Sequence, residues 1–118
     1  MALGGALGAA TRWVLGGWLA ERFGPTFPWH TMIINVTGAL LLGVLMGASL
    51  ERGFISPDWR VFLGTGVLGG YTTFSTLAYE SVALFEQGAY GPALFNMFGS
   101  GVLGLVAAVA GLAIGRIL

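Results

Sequence analysis

The chain has 118 residues, of which 56% are hydrophobic and 8% are charged; its formal net charge is zero and its mean hydropathy is +0.85. A soluble domain carries about 25% charged residues, so this composition excludes an ordinary water-soluble protein, and the balanced charge gives no reason to expect a nucleic acid or an acidic partner. The chain has no cysteine, which excludes disulfides, thiolate nucleophiles and thiolate metal sites.

Four apolar segments follow one another along the chain. About 20 apolar residues cross the hydrocarbon of a bilayer as a helix, and an uncharged run of the length found between Arg60 and Glu80 is too long for a barrel strand. We predict helices at about residues 2–20, 30–50, 59–85 and 92–117. The chain is thus expected to be an all-α integral membrane protein in which residues 1–118 form one domain of four transmembrane helices.

The first helix and the loops carry the arginines. Arg12 lies inside the first apolar run, where we expect a buried or snorkelling cation and no signal peptide, so residue 1 is expected to belong to the mature protein. Arg52, Arg60 and Arg116 would share one side of the membrane and Arg22 the other. Three against one is a weak signal for orientation, so both insertions are expected.

Small residues recur three or four positions apart on the predicted helices. They are Gly4 and Gly8, Gly43 and Gly47, Gly66 and Gly70, and the row Gly104, Ala108, Gly111 and Gly115. Such faces allow helix backbones to approach closely in lipid, where no hydrophobic effect drives association. Because a unit of four short helices is thin, we expect these faces to serve self-association.

The third helix contains a segment that is unsuited to a helix interior. Gly69 and Gly70 precede the β-branched pair Thr72 and Thr73, and glycine alone costs on the order of 1 kcal/mol against alanine. We predict a break here, in the middle of the membrane, where freed carbonyl groups favour a hard cation such as Na⁺. The alternative is that the hydroxyls bond back to their own helix and only bend it.

The residues around this segment resemble the third-helix motif of the Fluc/CrcB fluoride channels. The run is Gly66-x-x-Gly69-Gly70-x-Thr72-Thr73-Phe74-Ser75-Thr76, followed by Glu80. Matches in the other helices are Gly5-x-x-Gly8-Ala9-x-x-Arg12-Trp13, Asn35-x-x-Gly38 with Gly43, and Ala93-Leu94-x-Asn96 with Ser100. The resemblance covers nearly the whole chain. One position departs from the motif, because Leu77 stands where these channels usually have a second phenylalanine.

The resemblance implies a passive, fluoride-selective channel that exports fluoride from the cytoplasm and lowers its toxicity. It implies an antiparallel, dual-topology homodimer with two pores in the bacterial inner membrane. A structural Na⁺, which is not transported, would be held at the dimer centre by the backbone carbonyls of Gly69 and Thr72 in each subunit. The implied fluoride pathway comprises Asn35, Phe74, Ser75, Thr76, Leu77, Glu80, Asn96, Ser100 and, at an aqueous vestibule, Arg12.

The chemistry of these side chains suits an anion, although each has an ordinary structural use as well. The Asn35 amide and the hydroxyls can donate hydrogen bonds to a dehydrated fluoride, and the positive edge of the Phe74 ring can face it. From the residues alone, Asn35 is equally suited to bonding a neighbouring helix. Asn96 and Ser100 share a helix face that fits either a polar track or interhelical bonding. We expect His30, at a helix end, to be an anchor and not a proton switch.

Two other functions remain open at this point. A small proton-coupled drug exporter also has four short spans, but it needs an acid deep in its first helix, where this chain has Arg12. A non-transporting helical subunit would use the glycine faces to pack against a larger partner. We do not expect an enzyme, because a chain with no cysteine, one histidine and no paired acids on one face offers no nucleophile with its base.

Overall fold

The structure is a computed structural model that describes residues 1–118, apart from the side chain of Glu51. The described residues form helices and connecting loops, without strands. Helix α1 is Ala2–Phe23, and α2 is Trp29–Met46 continued by wider, π-type turns over Gly47–Glu51. The third segment is divided into α3, which comprises Pro57–Arg60, Val61–Leu68 and Gly69–Tyr71, and α4, Phe74–Glu86. Helix α5 comprises Tyr90–Leu94, Phe95–Gly99 and Ser100–Ile117.

The helix ends differ from the predicted ones by a few residues, and local chemistry explains where they fall. Helix α1 runs to Phe23 because the next residue, Gly24, adopts a φ of +79°, which a side chain would oppose. Helix α3 begins at Pro57, whose missing N–H costs nothing in the first turn. The Ser56 hydroxyl accepts a hydrogen bond from the backbone N–H of Trp59 and caps this end.

The glycine faces pack against each other inside the subunit. Helix α2 lies along α5, and α1 lies against α3. A methyl group at Gly111 would lie 3.0 Å from the backbone nitrogen of Val44, and one at Gly47 would lie 3.0 Å from that of Arg116. A methyl group at Gly4 would lie 3.2 Å from the Cα of Gly66. The prediction that these faces serve self-association is therefore wrong for these glycines, because each already faces a neighbouring helix of its own chain.

The third helix is broken at Thr72 and Thr73, as predicted. Both residues have extended backbones, with φ and ψ of −85° and 160° at Thr72 and of −151° and 120° at Thr73. The Thr72 hydroxyl does bond back to the carbonyl of Leu68, at 3.0 Å. That back-bond does not keep the segment helical, so the alternative of a merely bent helix is excluded.

Two of the helices are long and apolar enough to cross a membrane by length and composition, namely Trp29–Leu50 and Tyr90–Ile117. The other two predicted spans are not among these two helices; α1 carries Arg12 within its apolar run, and the third segment is divided at its break. In the most apolar window of α5, 11% of the residues are buried inside the chain. An apolar helix exposed to this extent needs lipid or another protein surface against it.

Candidate functional site

The side chain of Asn35 forms hydrogen bonds with backbone groups at the break. Its Nδ2 donates to the carbonyl oxygen of Thr73 and its Oδ1 accepts from the Thr73 N–H, both at 2.8 Å. One planar amide on α2 thus satisfies both polar groups of a peptide that has left the helix. An asparagine amide has two N–H bonds, and the described hydrogen bonds use one of them. Asn35 therefore keeps a donor for a further acceptor.

Thr73 caps the start of helix α4 and was not expected to have a specific role. Its hydroxyl accepts from the backbone N–H of Thr76 at 3.3 Å and lies 3.1 Å from the Thr76 hydroxyl. A threonine cap of this kind stabilises a helix by typically about 1 kcal/mol. The signal for this role was present in the sequence, because a threonine directly before a new helical segment is a common N-cap.

The same hydrogen bonds redirect the amides that would otherwise pair with Gly69 and Thr72. In a continuous helix the Gly69 carbonyl accepts from the amide of Thr73, and the Thr72 carbonyl accepts from that of Thr76. Here the Thr73 amide donates to Asn35 and the Thr76 amide donates to the Thr73 hydroxyl. Carbonyl oxygens are among the ligands that hard cations prefer. The backbone carbonyl oxygens of Gly69 and Thr72 are therefore of a type that fits a Na⁺.

A cavity of about 330 Å³ lies beside the break, and five of the residues predicted for the fluoride pathway or the Na⁺ site line it. They are Asn35, Gly69, Thr72, Phe74 and Leu77. Phe74 is 70% exposed, whereas Leu77 is 7% exposed and packs within its own chain. The motif usually has phenylalanine at positions 74 and 77. This chain keeps only Phe74, and its ring faces outward.

A second cavity of about 350 Å³ also reaches the break. Its lining includes Arg12, Thr31, Thr73 and Thr76. Thr73 therefore lies between this cavity and the first, and the Arg12 side chain of α1 shares a space with the start of α4. Ser75 is exposed and takes part in none of the described side-chain hydrogen bonds.

The Glu80 carboxylate is held by two neighbouring residues of α2. The Thr31 hydroxyl donates to Oε2 at 2.8 Å, and Nε2 of His30 lies 3.4 Å from the same oxygen. The other oxygen, Oε1, is buried and has no hydrogen-bond partner among the described side chains. The expectation that His30 serves as a helix-end anchor missed this contact. Residues 30 and 80 are far apart in the chain, and no local pattern connects them.

Asn96 and Ser100 form a separate buried group on α5. Asn96 is fully buried and donates from Nδ2 to the Ser81 hydroxyl at 3.1 Å, which in turn donates to the Leu77 carbonyl at 2.8 Å. Asn96 Oδ1 and Ser100 Oγ are buried without a partner among the described residues. No described hydrogen bond connects Asn96 or Ser100 to Asn35 or Glu80. Ser81, which belongs to none of the motifs in the sequence, links α4 to this group.

Comparison with known proteins identifies relatives over nearly the full chain. The family model described as "CrcB-like protein, Camphor Resistance (CrcB)" matches residues 1–112. A protein of Thermus thermophilus named fluoride-specific ion channel FluC is 48% identical over 115 residues, which are 98% of this chain and 90% of that protein. Proteins of the same name from Agrobacterium fabrum and Chloroflexus aurantiacus are 44% and 46% identical over 116 residues, or 98% of this chain and 93% and 92% of theirs.

These matches confirm the resemblance that the third-helix motif indicated. They cover all the helices described above, including the break and the residues that close it. Each of the three relatives covers nearly all of this chain. The chain therefore belongs to the CrcB-like protein family, a membrane-protein family of ion channels and not of enzymes.

Proposed function

We propose that this chain forms a fluoride-selective channel through which fluoride leaves the cytoplasm passively, and that this export lowers fluoride toxicity. The observation that supports the proposal most is the bidentate contact between Asn35 and the Thr73 backbone. It leaves a donor at the edge of a cavity that is also lined by the exposed ring of Phe74. The names of the relatives, fluoride-specific ion channels, agree with an anion of this kind.

Fluoride is small and strongly hydrated, so a pathway for it must replace water with hydrogen-bond donors. The Asn35 amide and the Thr76 hydroxyl provide such donors on either side of the break, and Arg12 provides a cation in the adjoining cavity. The positive edge of the Phe74 ring offers a further favourable contact. Ser75, Leu77, Glu80, Asn96 and Ser100 complete the pathway that we propose.

The functional unit would be an antiparallel homodimer in which each subunit crosses the bacterial inner membrane four times. The carbonyls of Gly69 and Thr72 in each subunit would hold a structural Na⁺ at the dimer centre. The redirected amides of Thr73 and Thr76 support this assignment. A bound cation supplies positive charge that offsets the desolvation of a passing anion.

Fluoride efflux from proteoliposomes that contain only the purified chain tests the proposal. We expect rapid, passive fluoride release in the absence of any partner, and chloride release no faster than from protein-free vesicles. A matched pair of variants shows that the flux comes from the site: Asn35→Ala should lower it, and Gly101→Ala, at an exposed position with open space around it, should not.

The other possible functions give different results in the same vesicles. A non-transporting subunit would release no fluoride. A proton-coupled exporter would move its substrate only under a proton gradient. Either result would overturn the proposal.

A further inference from the structure

His30 lies between two cavities of the subunit. It lines the cavity of about 350 Å³ that contains Arg12 and also a larger one of about 500 Å³ that contains Glu80. It is the second residue of α2, next to Thr31, and its side chain is 32% exposed. His30 therefore faces both spaces from one helix end.

Two side chains of α2 approach the same oxygen of Glu80. The Thr31 hydroxyl and the His30 Nε2 lie 2.8 Å and 3.4 Å from Oε2. The Glu80 side chain is 17% exposed, and its other oxygen is buried without a partner among the described residues. When the Glu80 carboxylate is ionised, its negative charge lies near the space that an anion would cross, and a cation beside it compensates that charge.

We propose that His30 is a positioning residue that holds the Glu80 carboxylate between the two cavities, and that protonation of His30 increases the passage of anions. This inference rests on the proposed function as an anion channel. A neutral imidazole leaves the charge of Glu80 uncompensated, and that charge repels an approaching anion. A protonated imidazole compensates the charge and donates from Nε2 to the carboxylate.

The other charged or titratable groups that face His30 come from α1 and α4. Arg12 lines the smaller cavity, and Glu21, Tyr79 and Glu80 line the larger one. Arginine, surface glutamate and tyrosine ordinarily keep one charge state between pH 5 and 8, whereas histidine changes its charge in this range. Glu80 is the direct partner, so variants must separate its contribution from that of His30.

The contact can be tested without any transport measurement, because the chain contains a single histidine. In the purified, ¹⁵N-histidine-labelled protein, the imidazole nitrogen signals report the tautomer and the charge of His30 alone. We expect Glu80→Gln to shift these signals and their pH profile. The matched control Glu21→Gln, which changes an acid of the same cavity, should leave them in place. If the signals are unchanged in Glu80→Gln, His30 does not contact Glu80 and the inference is wrong.

The effect on permeation is tested by fluoride efflux at pH 5.5 and pH 8 with the same pH on both sides, after subtraction of the leak through protein-free vesicles. We expect the wild type to be at least about fivefold faster at pH 5.5. Two unit charges about 4 Å apart interact strongly enough for a change of this size even in water. His30→Gln should be slow at both pH values, and His30→Lys, which keeps a positive charge, should be fast at both.

The outcomes separate this inference from the proposed function. If the wild type conducts but His30→Gln keeps its pH profile, then Glu80 or another group titrates, and the inference is wrong while the channel stands. If the wild type does not conduct at any pH, the proposed function is wrong, and the nuclear magnetic resonance result alone decides whether His30 holds Glu80. Elution of each variant as the wild-type assembly shows that it is folded.

Discussion

The side-chain amide of Asn35 on α2 forms two hydrogen bonds of 2.8 Å with the backbone of Thr73, one through Nδ2 and one through Oδ1. This contact joins α2 to the break between α3 and α4. It gives Asn35 two roles at once, because the amide both replaces helical hydrogen bonds and retains an N–H for a ligand. Under the proposed function, a substitution at this position should change structure and permeation together, in proportions that depend on the substituent.

The first prediction concerns Asn35→Ala and Asn35→Asp. Alanine leaves the Thr73 amide and carbonyl without their partner, which should lower the free energy of unfolding by about 1–3 kcal/mol. Aspartate keeps an acceptor for the Thr73 amide but loses the donor and adds a negative charge. Both variants should lower fluoride flux at least about tenfold, because a hydrogen bond to a charged group contributes about 1.5–3 kcal/mol. Thermal unfolding in detergent and efflux from proteoliposomes measure the two effects.

Thr37→Val is the matched control for the structural part of this effect. Thr37 lies on the same helix and its hydroxyl is 2.9 Å from the Tyr71 hydroxyl. Its loss should lower stability while flux stays near the wild-type rate. Wild-type flux in Asn35→Ala would instead show that Asn35 only closes the backbone.

The second prediction compares Phe74 with Leu77. Phe74 is largely exposed and Leu77 is buried, although both line the cavity at the break. Phe74→Ile removes the aromatic edge and should lower flux severely with little change in stability. Leu77→Ala removes buried atoms, which costs about 2–5 kcal/mol at well-packed sites, but it should lower flux less than Phe74→Ile. Normal conduction by Phe74→Ile would show that the aromatic edge has no role here.

Leu77→Phe restores the residue that is usual at this position in the motif. We expect the variant to be tolerated, or to conduct faster, because the cavity of about 330 Å³ next to Leu77 can take part of the ring. Efflux and thermal unfolding should be measured on the same preparation. A large loss of stability without any gain in flux would show that the ring is forced into the packed side of α4.

The third prediction concerns the packing of α2 on α5. A methyl group at Gly111 would meet the Leu40 carbonyl oxygen and lie 3.0 Å from the Val44 nitrogen. Gly111→Ala should therefore destabilise the subunit by about 1–3 kcal/mol. Gly101→Ala on the same helix meets nothing within 4 Å and should be neutral or stabilising by up to about 1 kcal/mol. If Gly111→Ala weakens dimerisation but leaves the unfolding of the subunit unchanged, this face lies between subunits.

The sequence was sufficient to predict the helical segments and the break, because both depend on local properties. Long apolar runs indicate helices, and two glycines ahead of Thr72 and Thr73 make a poor helix interior. The division of the small-residue faces between contacts within the chain and contacts between chains was not predictable. That division depends on which helices become neighbours. The four-residue spacing of Gly43 and Gly47, or of Gly111 and Gly115, is the same in either case.

The residues of the candidate site were predictable as a set, but their partners were not. The motif singled out Asn35 and Glu80, whereas their contacts with Thr73, Thr31 and His30 join helices that are distant in sequence. These contacts follow from how α2 lies against α4. A histidine at a helix end has no local feature that distinguishes an anchor from the partner of a carboxylate.

The fourth prediction concerns orientation. Arg52 donates to the carbonyl of Arg116, so the two arginines lie at the same end of the subunit, as the count along the chain assumes. Because three arginines against one give only a weak signal for orientation, a reporter fused to the C-terminus should be active on both faces of the membrane. Adding two lysines to the loop at residues 52–56, on the side of the three arginines, makes the count five against one and should move the population to one orientation and lower flux per molecule. Activity on one face alone in the wild type would contradict dual topology.

The fifth prediction concerns the proposed Na⁺ site and uses two glycines near it. A methyl group at Gly69 would lie 3.6 Å from its closest neighbour, the Gly64 carbonyl oxygen, which is an ordinary contact. A methyl group at Gly38 would strike the Thr72 side chain and lie 3.3 Å from the Tyr71 ring. Gly69→Ala should thus keep the carbonyl in place, and Gly38→Ala should displace Thr72.

Thermal unfolding in Na⁺ and in the large cation N-methyl-D-glucamine tests whether a specific cation stabilises the protein. A ligand at 100 times its dissociation constant adds about 2.7 kcal/mol to the free energy of unfolding, so the wild type should melt at a higher temperature in Na⁺. Gly69→Ala should keep this difference because its carbonyl does not move, and Gly38→Ala should lose most of it together with fluoride flux. Equal melting temperatures of the wild type in both cations would argue against the Na⁺ site. A difference that survives in Gly38→Ala would place the cation away from Thr72.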